Sequence, residues 1–146
     1  MKQKIQLRKK YFNLRKKRYF NIDKIFFLPL LKLIQFKLKK KKIKLALYYP
    51  SNFELNVLKI LEFTKILDQE ILLPIIDKNN LMDFFSWKKN EVLFVNKFGM
   101  LEPAKTKVKV PDVILVPILA FDKKKYRLGY GKGFYDRYLN KYSKRF

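Results

Sequence analysis

The sequence predicts an α/β fold: three layers built around a mainly parallel sheet. Three observations carry that expectation. Apolar runs rich in β-forming residues, at 43–49, 70–76 and 113–116, alternate with stretches of helical periodicity. The last run is closed by Pro117 and leads through Ala120-Phe121-Asp122 and three lysines into Gly129-Tyr130-Gly131-Lys132-Gly133, then Phe134-Tyr135-Asp136-Arg137. That order reads as a buried strand, a loop and a glycine turn feeding a helix. There is no internal repeat, and 146 residues are enough to bury a core, so one domain over 1–146 is expected, with a basic helical segment at 1–38 ahead of an α/β body at 43–146.

Residues 2–20 contain neither Gly nor Pro and suit a helix. Lys4, Arg8, Tyr11 and Arg15 then line up on one face, with Leu7 and Leu14 spaced as a buried stripe beside them. Spacing alone makes this a solvated basic helix. Residues 22–38 carry a helical stripe of Ile22, Ile25, Phe26, Leu30, Leu33, Ile34 and Leu38, interrupted at Pro29, and the lysine run 39–42 is the expected linker. The first strand, 43–49, ends at Pro50. Ser51-Asn52-Phe53-Glu54 fits a capping box, opening a helix with Leu55, Leu58, Leu61 and Ile66.

In the second strand Pro74 cannot donate to a ladder, which argues for an edge or a strand end. Residues 81–87 and 91–95 are expected to pair with each other across Lys88-Lys89-Asn90. Phe84, Phe85 and Trp87 read as core more readily than as a stacking platform. Residues 103–110 form a lysine-rich connector.

Composition limits the chemistry. With no cysteine and no histidine there is no thiol nucleophile and the commonest general base is missing, so Lys, Arg, Asp, Glu, Tyr and backbone groups must do the work. Net charge is +23 and is uneven: residues 1–44 hold 17 Lys/Arg against the acid Asp23. Such a segment suggests nucleic acid or an anionic surface, but over-used Lys, Ile, Phe, Asn and Tyr also fit drift toward A- and T-rich codons, which is the favoured explanation. No apolar run approaches the roughly 18 residues of a membrane span, and no secretory h-region opens the chain. The cytoplasm is the expected compartment.

The glycine turn suits phosphate. Glycines at alternate positions remove Cβ atoms and permit positive φ, so backbone N–H groups can converge on an anion. A helix starting near Phe134 adds its free N–H groups. Arg127 and Lys132 bring charge, and Asp136 is a nearby carboxylate able to take magnesium, although an acid in a first helical turn is favourable without any metal. A nucleoside triphosphate is the first ligand to consider. Neither the Walker spacing nor the dinucleotide fingerprint is met.

The stretch LVPILAFDKKKYRLGYGKGFYDRYL resembles the signature of the 5-formyltetrahydrofolate cyclo-ligase (5,10-methenyltetrahydrofolate synthetase) family, with its AFD, RLGYGxG and YDRYL elements in order. Weaker similarity covers Lys4-x-x-Leu7-Arg8, Tyr49-Pro50 with Glu54, Leu73-Pro74, and Phe98-Gly99-Met100-Leu101-Glu102-Pro103. The resemblance implies a Rossmann-like fold of the NagB/RpiA/CoA-transferase-like class. It implies ATP- and Mg2+-dependent cyclisation of 5-formyltetrahydrofolate to 5,10-methenyltetrahydrofolate, releasing ADP and phosphate.

By the same resemblance ATP lies against Arg127, Leu128, Gly129, Tyr130, Gly131, Lys132, Gly133, Phe134 and Tyr135, with Lys4 and Arg8 closing over it. Lys132 and Arg127 are the catalytic cations and Asp136 binds the metal. Tyr49, Glu54, Tyr130, Gly131, Lys132, Gly133 and Phe134 take the folate. The partners implied are ATP and 5-formyltetrahydrofolate, met by a monomer with no membrane and no nucleic acid involved. Members of the family continue past the YDRYL helix with a further strand, helix and acidic residue, whereas this sequence stops at Phe146. A shortened homologue that binds nucleotide or folate without turnover, and a basic nucleic-acid-binding protein, are the alternatives.

Overall fold

The computed structural model describes residues 2–39, 42–63 and 68–144. Its centre is a four-stranded sheet in which residues Met82–Ser86, Gln69–Ile76, Ile43–Ala46 and Val113–Ile114 lie side by side in that order. Strand β1 (Ile43–Ala46) runs parallel to both β2 (Gln69–Ile76) and β6 (Val113–Ile114), while β3 (Met82–Ser86) is antiparallel to β2 at the edge. The α/β class with a mainly parallel sheet is therefore as the sequence predicts.

Side-chain alternation sorts the strands into two apolar faces. Ile43, Leu45, Ile71, Leu73 and Trp87 point to one side, where Phe27, Leu31, Ile34, Val57 and Ile60 cover them. Ala46, Leu72, Ile76, Met82 and Phe84 point to the other, under Tyr138 of helix α3 (Phe134–Lys141). These are the three layers.

The first cover is built on helix α2 (Leu28–Leu38) and the short 3-10 turn Lys24–Phe27 before it. Asp23 caps that turn by accepting the Ile25 N–H. Pro29 does not interrupt a helix as the sequence suggested; it sits in the first turn of α2, where its missing N–H costs nothing. The buried stripe is accordingly Phe27, Leu31 and Ile34, and Ile25, Phe26 and Leu33 are exposed. Lys39 ends α2 in the left-handed region with φ 48°; Lys40 and Lys41 of the expected linker lie outside the described residues.

Several local expectations are corrected. Helix α1 (Lys2–Lys17) has no buried residue, and Leu7 and Leu14 are each 37% exposed. The half-buried positions are Arg8, Tyr11, Phe12 and Arg15, so the basic face, not a leucine stripe, turns toward the rest of the protein. Ser51–Glu54 forms a tight corner with Asn52 and Phe53 both at positive φ (48° and 61°), and the 3-10 stretch Val57–Phe63 starts only after it; Ile66 lies outside the described residues. Residues 81–87 do not pair with 91–95. The first segment supplies β3 to the sheet, and β4 (Phe94–Val95) instead forms a hairpin with β5 (Leu101–Glu102). A further hairpin, β7 (Ala120–Phe121) with β8 (Arg127–Leu128), occupies what read as a plain loop.

Pro74 shows why the ladder tolerates it. The Leu72 carbonyl accepts from Leu47 N on the β1 side while the Ile71 carbonyl accepts from Trp87 N on the β3 side. Alternation then turns Pro74 toward β1, just past the point where β1 ends. The next donor on that side, Ile76 N–H, is satisfied at 2.7 Å by the Glu102 carboxylate. Pro74 is interior to its strand yet lies at the end of that pairing.

Phe84 is fully buried and meets the Tyr138 ring edge-on at 4.9 Å, joining β3 to α3. Phe84→Ala is expected to cost about 3–5 kcal/mol of stability, read as a lower urea midpoint.

Candidate functional site

The strand order reverses between β1 and β6: the chain leaves β1 toward β2 on one side, and β6 pairs on the other. Open α/β sheets bind ligands beyond the carboxyl ends of strands at such a point. Here the two exits diverge around a cavity of about 700 Å³. Tyr48, Phe53 and Glu54 line it after β1, Leu115, Val116 and Ile118 after β6, and Arg15, Arg18 and Tyr19 from the N-terminal side.

Glu54 is 7% exposed. The corner at Ser51 holds it, because its Oε2 accepts from Ser51 N at 2.9 Å and Ser51 Oγ at 3.3 Å. Capping-box residues thus form a turn that aims a carboxylate into the cavity. Around it stand three tyrosines. Burial, reinforced by the Glu54 charge, pushes the Tyr48, Tyr130 and Tyr135 hydroxyls above the ordinary phenol range. The Glu54 carboxylate lies close enough to raise Tyr130 directly, whereas the Arg15 charge acts the other way on Tyr48 and Tyr130. All three phenols stay neutral donors.

The glycine turn borders this crevice. Gly131 (φ 99°) and Gly133 (φ 70°) are in conformations that L side chains resist. A Cβ would also make an arginine shift: at Gly131 it would lie 2.9 Å from Arg8 Cζ, and at Gly133 2.9 Å from Arg137 Nη1, each the far end of a flexible side chain. Arg8 reaches the turn from α1, its Nε–H donating to the Gly129 carbonyl at 3.0 Å. Two turns further along α1, Arg15 donates to the Tyr130 hydroxyl and to the Ile118 carbonyl. Arg137 donates to the Lys132 carbonyl (3.0 Å) and to the Asn80 carbonyl (3.1 Å). Lys132 is exposed, with Nζ 5.5 Å from the centre of the Phe98 ring, and Phe98 packs on Phe134.

The structure therefore brings Arg8, Gly129, Tyr130, Gly131 and Glu54 together, with Lys132, Gly133, Phe134 and Tyr135 continuing the rim into α3. Leu128 pairs with Ala120 in the β7–β8 hairpin and sets the turn's approach. Lys4 is exposed one helical turn before Arg8 on the same face. Tyr49 does not join Glu54. Past the end of β1, Tyr48 lines the Glu54 cavity and Tyr49 lines a separate cavity of about 410 Å³ beside Trp87.

Asp136 is 78% exposed and bonds Arg127 Nη2 at 2.9 Å. Among the described residues no group of three or more acidic or other metal-ligating side chains exists. A lone, accessible carboxylate fits magnesium that arrives already bound to a triphosphate, because Mg2+ commonly takes one or two protein oxygens and fills its shell with phosphate and water. The donor set does not suit a cation held by protein alone.

The model of the 5-formyltetrahydrofolate cyclo-ligase family matches residues 3–146. This chain belongs to that family. Curated cyclo-ligase relatives include a probable 5-formyltetrahydrofolate cyclo-ligase of Schizosaccharomyces pombe, 37% identical over 81 residues that make up 51% of this chain and 40% of the relative. The 5-formyltetrahydrofolate cyclo-ligase of Mycoplasma genitalium is 36% identical over 117 residues, 78% of this chain and 62% of that one. The chain thus spans less than two thirds of the length of either. Among solved structures, the 5,10-methenyltetrahydrofolate synthetase of Aquifex aeolicus superposes with a TM-score of 0.67 at 29% identity, covering 94% of this chain and 72% of that one. The synthetase of Mycoplasma pneumoniae gives 0.61 at 28%, covering 94% and 77%.

Arg15, Tyr48 and Ile118 contribute to the site, although no sequence motif assigns them a role there. Arg15 was visible in line with Arg8, but its partners lie more than 100 residues away and carry no local signal. Gly131→Ala is expected to displace the Arg8 guanidinium and to strain the turn by about 1 kcal/mol or more. Faster amide exchange along α1 checks the first effect and a lower urea midpoint the second.

Proposed function

We propose that this chain uses ATP to close 5-formyltetrahydrofolate to 5,10-methenyltetrahydrofolate. Membership of the cyclo-ligase family supports the reaction class. The observation that carries the reading is Arg8 lying on the glycine turn: the KxxLR segment and the RLGYGxG segment, remote in sequence, converge on one spot beside an apolar crevice.

The chemical problem is a poor leaving group. A formamide oxygen must become a phosphate ester before N10 can displace it. In the first step the formyl oxygen attacks the γ-phosphorus and ADP leaves, giving an N5 iminium phosphate. N10 then adds to the activated carbon, loses its proton, and the C–O bond breaks with departure of phosphate, leaving the methenyl bridge. Neither step needs histidine or thiol. Phosphoryl transfer is catalysed by positioning and by charge placed where it develops.

The residues fit those tasks. Backbone N–H groups between Gly129 and Tyr135, with Arg8 above them and Lys4 a turn away, are the triphosphate cradle. Lys132 and Arg127 neutralise charge on the transferred group. Asp136, which pairs with Arg127 in this structure, is the residue that would hold magnesium, and the ion would supply charge neutralisation of the phosphate groups. The folate ring system enters the crevice between the β1 and β6 exits, with Glu54 and the Tyr130 hydroxyl at its polar edge and Phe134 nearby. Tyr49, facing the other cavity, has a weaker claim to this role. Both substrates are small anions, so a monomer in the cytoplasm with no nucleic acid or membrane partner is sufficient, and no helix among the described residues is long and apolar enough to cross a membrane.

Protein mixed with ATP, Mg2+ and 5-formyltetrahydrofolate should produce the methenyl absorbance. A chain that binds both substrates and yields no absorbance is a binding protein, and the proposal fails. Lys132→Ala should lower kcat by about 10²-fold or more while leaving the urea midpoint unchanged, since the side chain is exposed. Unfolding by that substitution would assign the lysine a structural role instead.

A further inference from the structure

Helix α1 is held unusually. It buries no residue, so its attachment rests on a few side chains along one face. Arg8 anchors one point, on Gly129 and Gly131. Arg15 anchors the next, about 10 Å along the axis, where it bridges the Ile118 carbonyl and the Tyr130 hydroxyl and lies 5.8 Å from the Tyr130 ring centre. Phe12 and Tyr19 add edge contacts to Phe53, whose backbone belongs to the Glu54 corner. One helix thus touches the phosphate side of the site through Arg8 and the crevice side through Arg15.

The Arg15 bridge is specific. Ile118 follows β6 and Tyr130 lies in the glycine turn, so a single guanidinium ties the two walls that Glu54 faces. Its charge also opposes that of Glu54 at the Tyr48 and Tyr130 hydroxyls, and a nearly buried carboxylate needs such a counter-charge. A 16-residue helix with no core of its own is marginal in water. A ligand that adds contacts at either anchor therefore orders the whole helix and presents the other anchor ready-made.

We propose that Arg15 is a positioning residue that couples the two half-sites through α1, so that nucleotide at the glycine turn and folate in the crevice each tighten the binding of the other. This rests on the proposed function for the identity of the two ligands. Coupling of this kind is reciprocal: the same factor must appear whichever ligand is added first.

The experiment titrates AMP-PNP, a non-transferring ATP analogue, with Mg2+, into the protein with and without saturating 5-formyltetrahydrofolate, and repeats the titration in the other order. Wild type should show a coupling of about 5-fold or more in both orders, with added hydrogen-exchange protection along α1. Arg15→Gln should bring the factor to near unity and remove the extra protection, while its affinity for AMP-PNP alone stays within about 3-fold. Tyr130→Phe, which keeps the ring and deletes the hydroxyl that receives Arg15, should reduce the coupling too and guards against a folding defect in the first variant. Coupling that survives both substitutions, or a wild type that binds each ligand independently, overturns the inference and leaves the proposed function standing. A wild type that binds neither ligand removes both.

Discussion

The arrangement of the site depends on one close contact, an arginine side chain laid flat against a residue that has none. Arg8 donates to the Gly129 carbonyl and its guanidinium covers Gly131 so closely that a single methyl group would make it shift. That contact spans 121 residues of sequence and brings the N-terminal helix to a turn that otherwise belongs to the far end of the chain. Without it α1 would keep Arg15 and the Phe53 contacts but lose its register over the turn. The glycine there serves two constraints at once, a backbone at φ 99° and a neighbour at van der Waals distance.

The sheet was legible because its strands are buried on both faces, and such strands appear as continuous apolar runs. The runs 43–49 and 70–76 needed no partner information to be recognised, and the ladders they form span Ile43–Ala46 and Gln69–Ile76. The glycine turn and the helix after it were legible from local chemistry alone. Three of the errors share a cause: each concerned which surface an element would face. Leu7 and Leu14 have helical spacing, yet the partner of α1 is a polar turn, so the arginine face is the one that docks. Residues 91–95 look like a mate for 81–87, but the free edge of β2 competes for β3 and wins with a longer ladder. Tyr48 and Tyr49 are equivalent in composition, and only the path of the chain beyond β1 tells which one meets Glu54.

Glu54 illustrates how structural and chemical readings of one residue coexist. Its bond to Ser51 N is half of a capping box, and no α-helix begins there. The corner instead uses positive φ at Asn52 and Phe53 to fold back, which leaves the carboxylate in the crevice with three neutral phenols and Arg15 within electrostatic reach. A buried acid so placed is stabilised by polar neighbours while remaining available to a ligand with donors of its own.

Pro74 has an effect well beyond its own strand. By withholding a donor where β1 stops, it leaves the Ile76 N–H as the next group on that side, and Glu102 fills the gap while also accepting from Asn96 at 2.7 Å. Asn96 in turn receives the N–H groups of Phe98 and Met100, which fixes the tip of the β4–β5 hairpin. Phe98 sits on that tip, and the ammonium of Lys132 rests over its ring. The aim of Lys132 in the glycine turn is thus braced by a strut whose footing is a missing hydrogen in the central sheet.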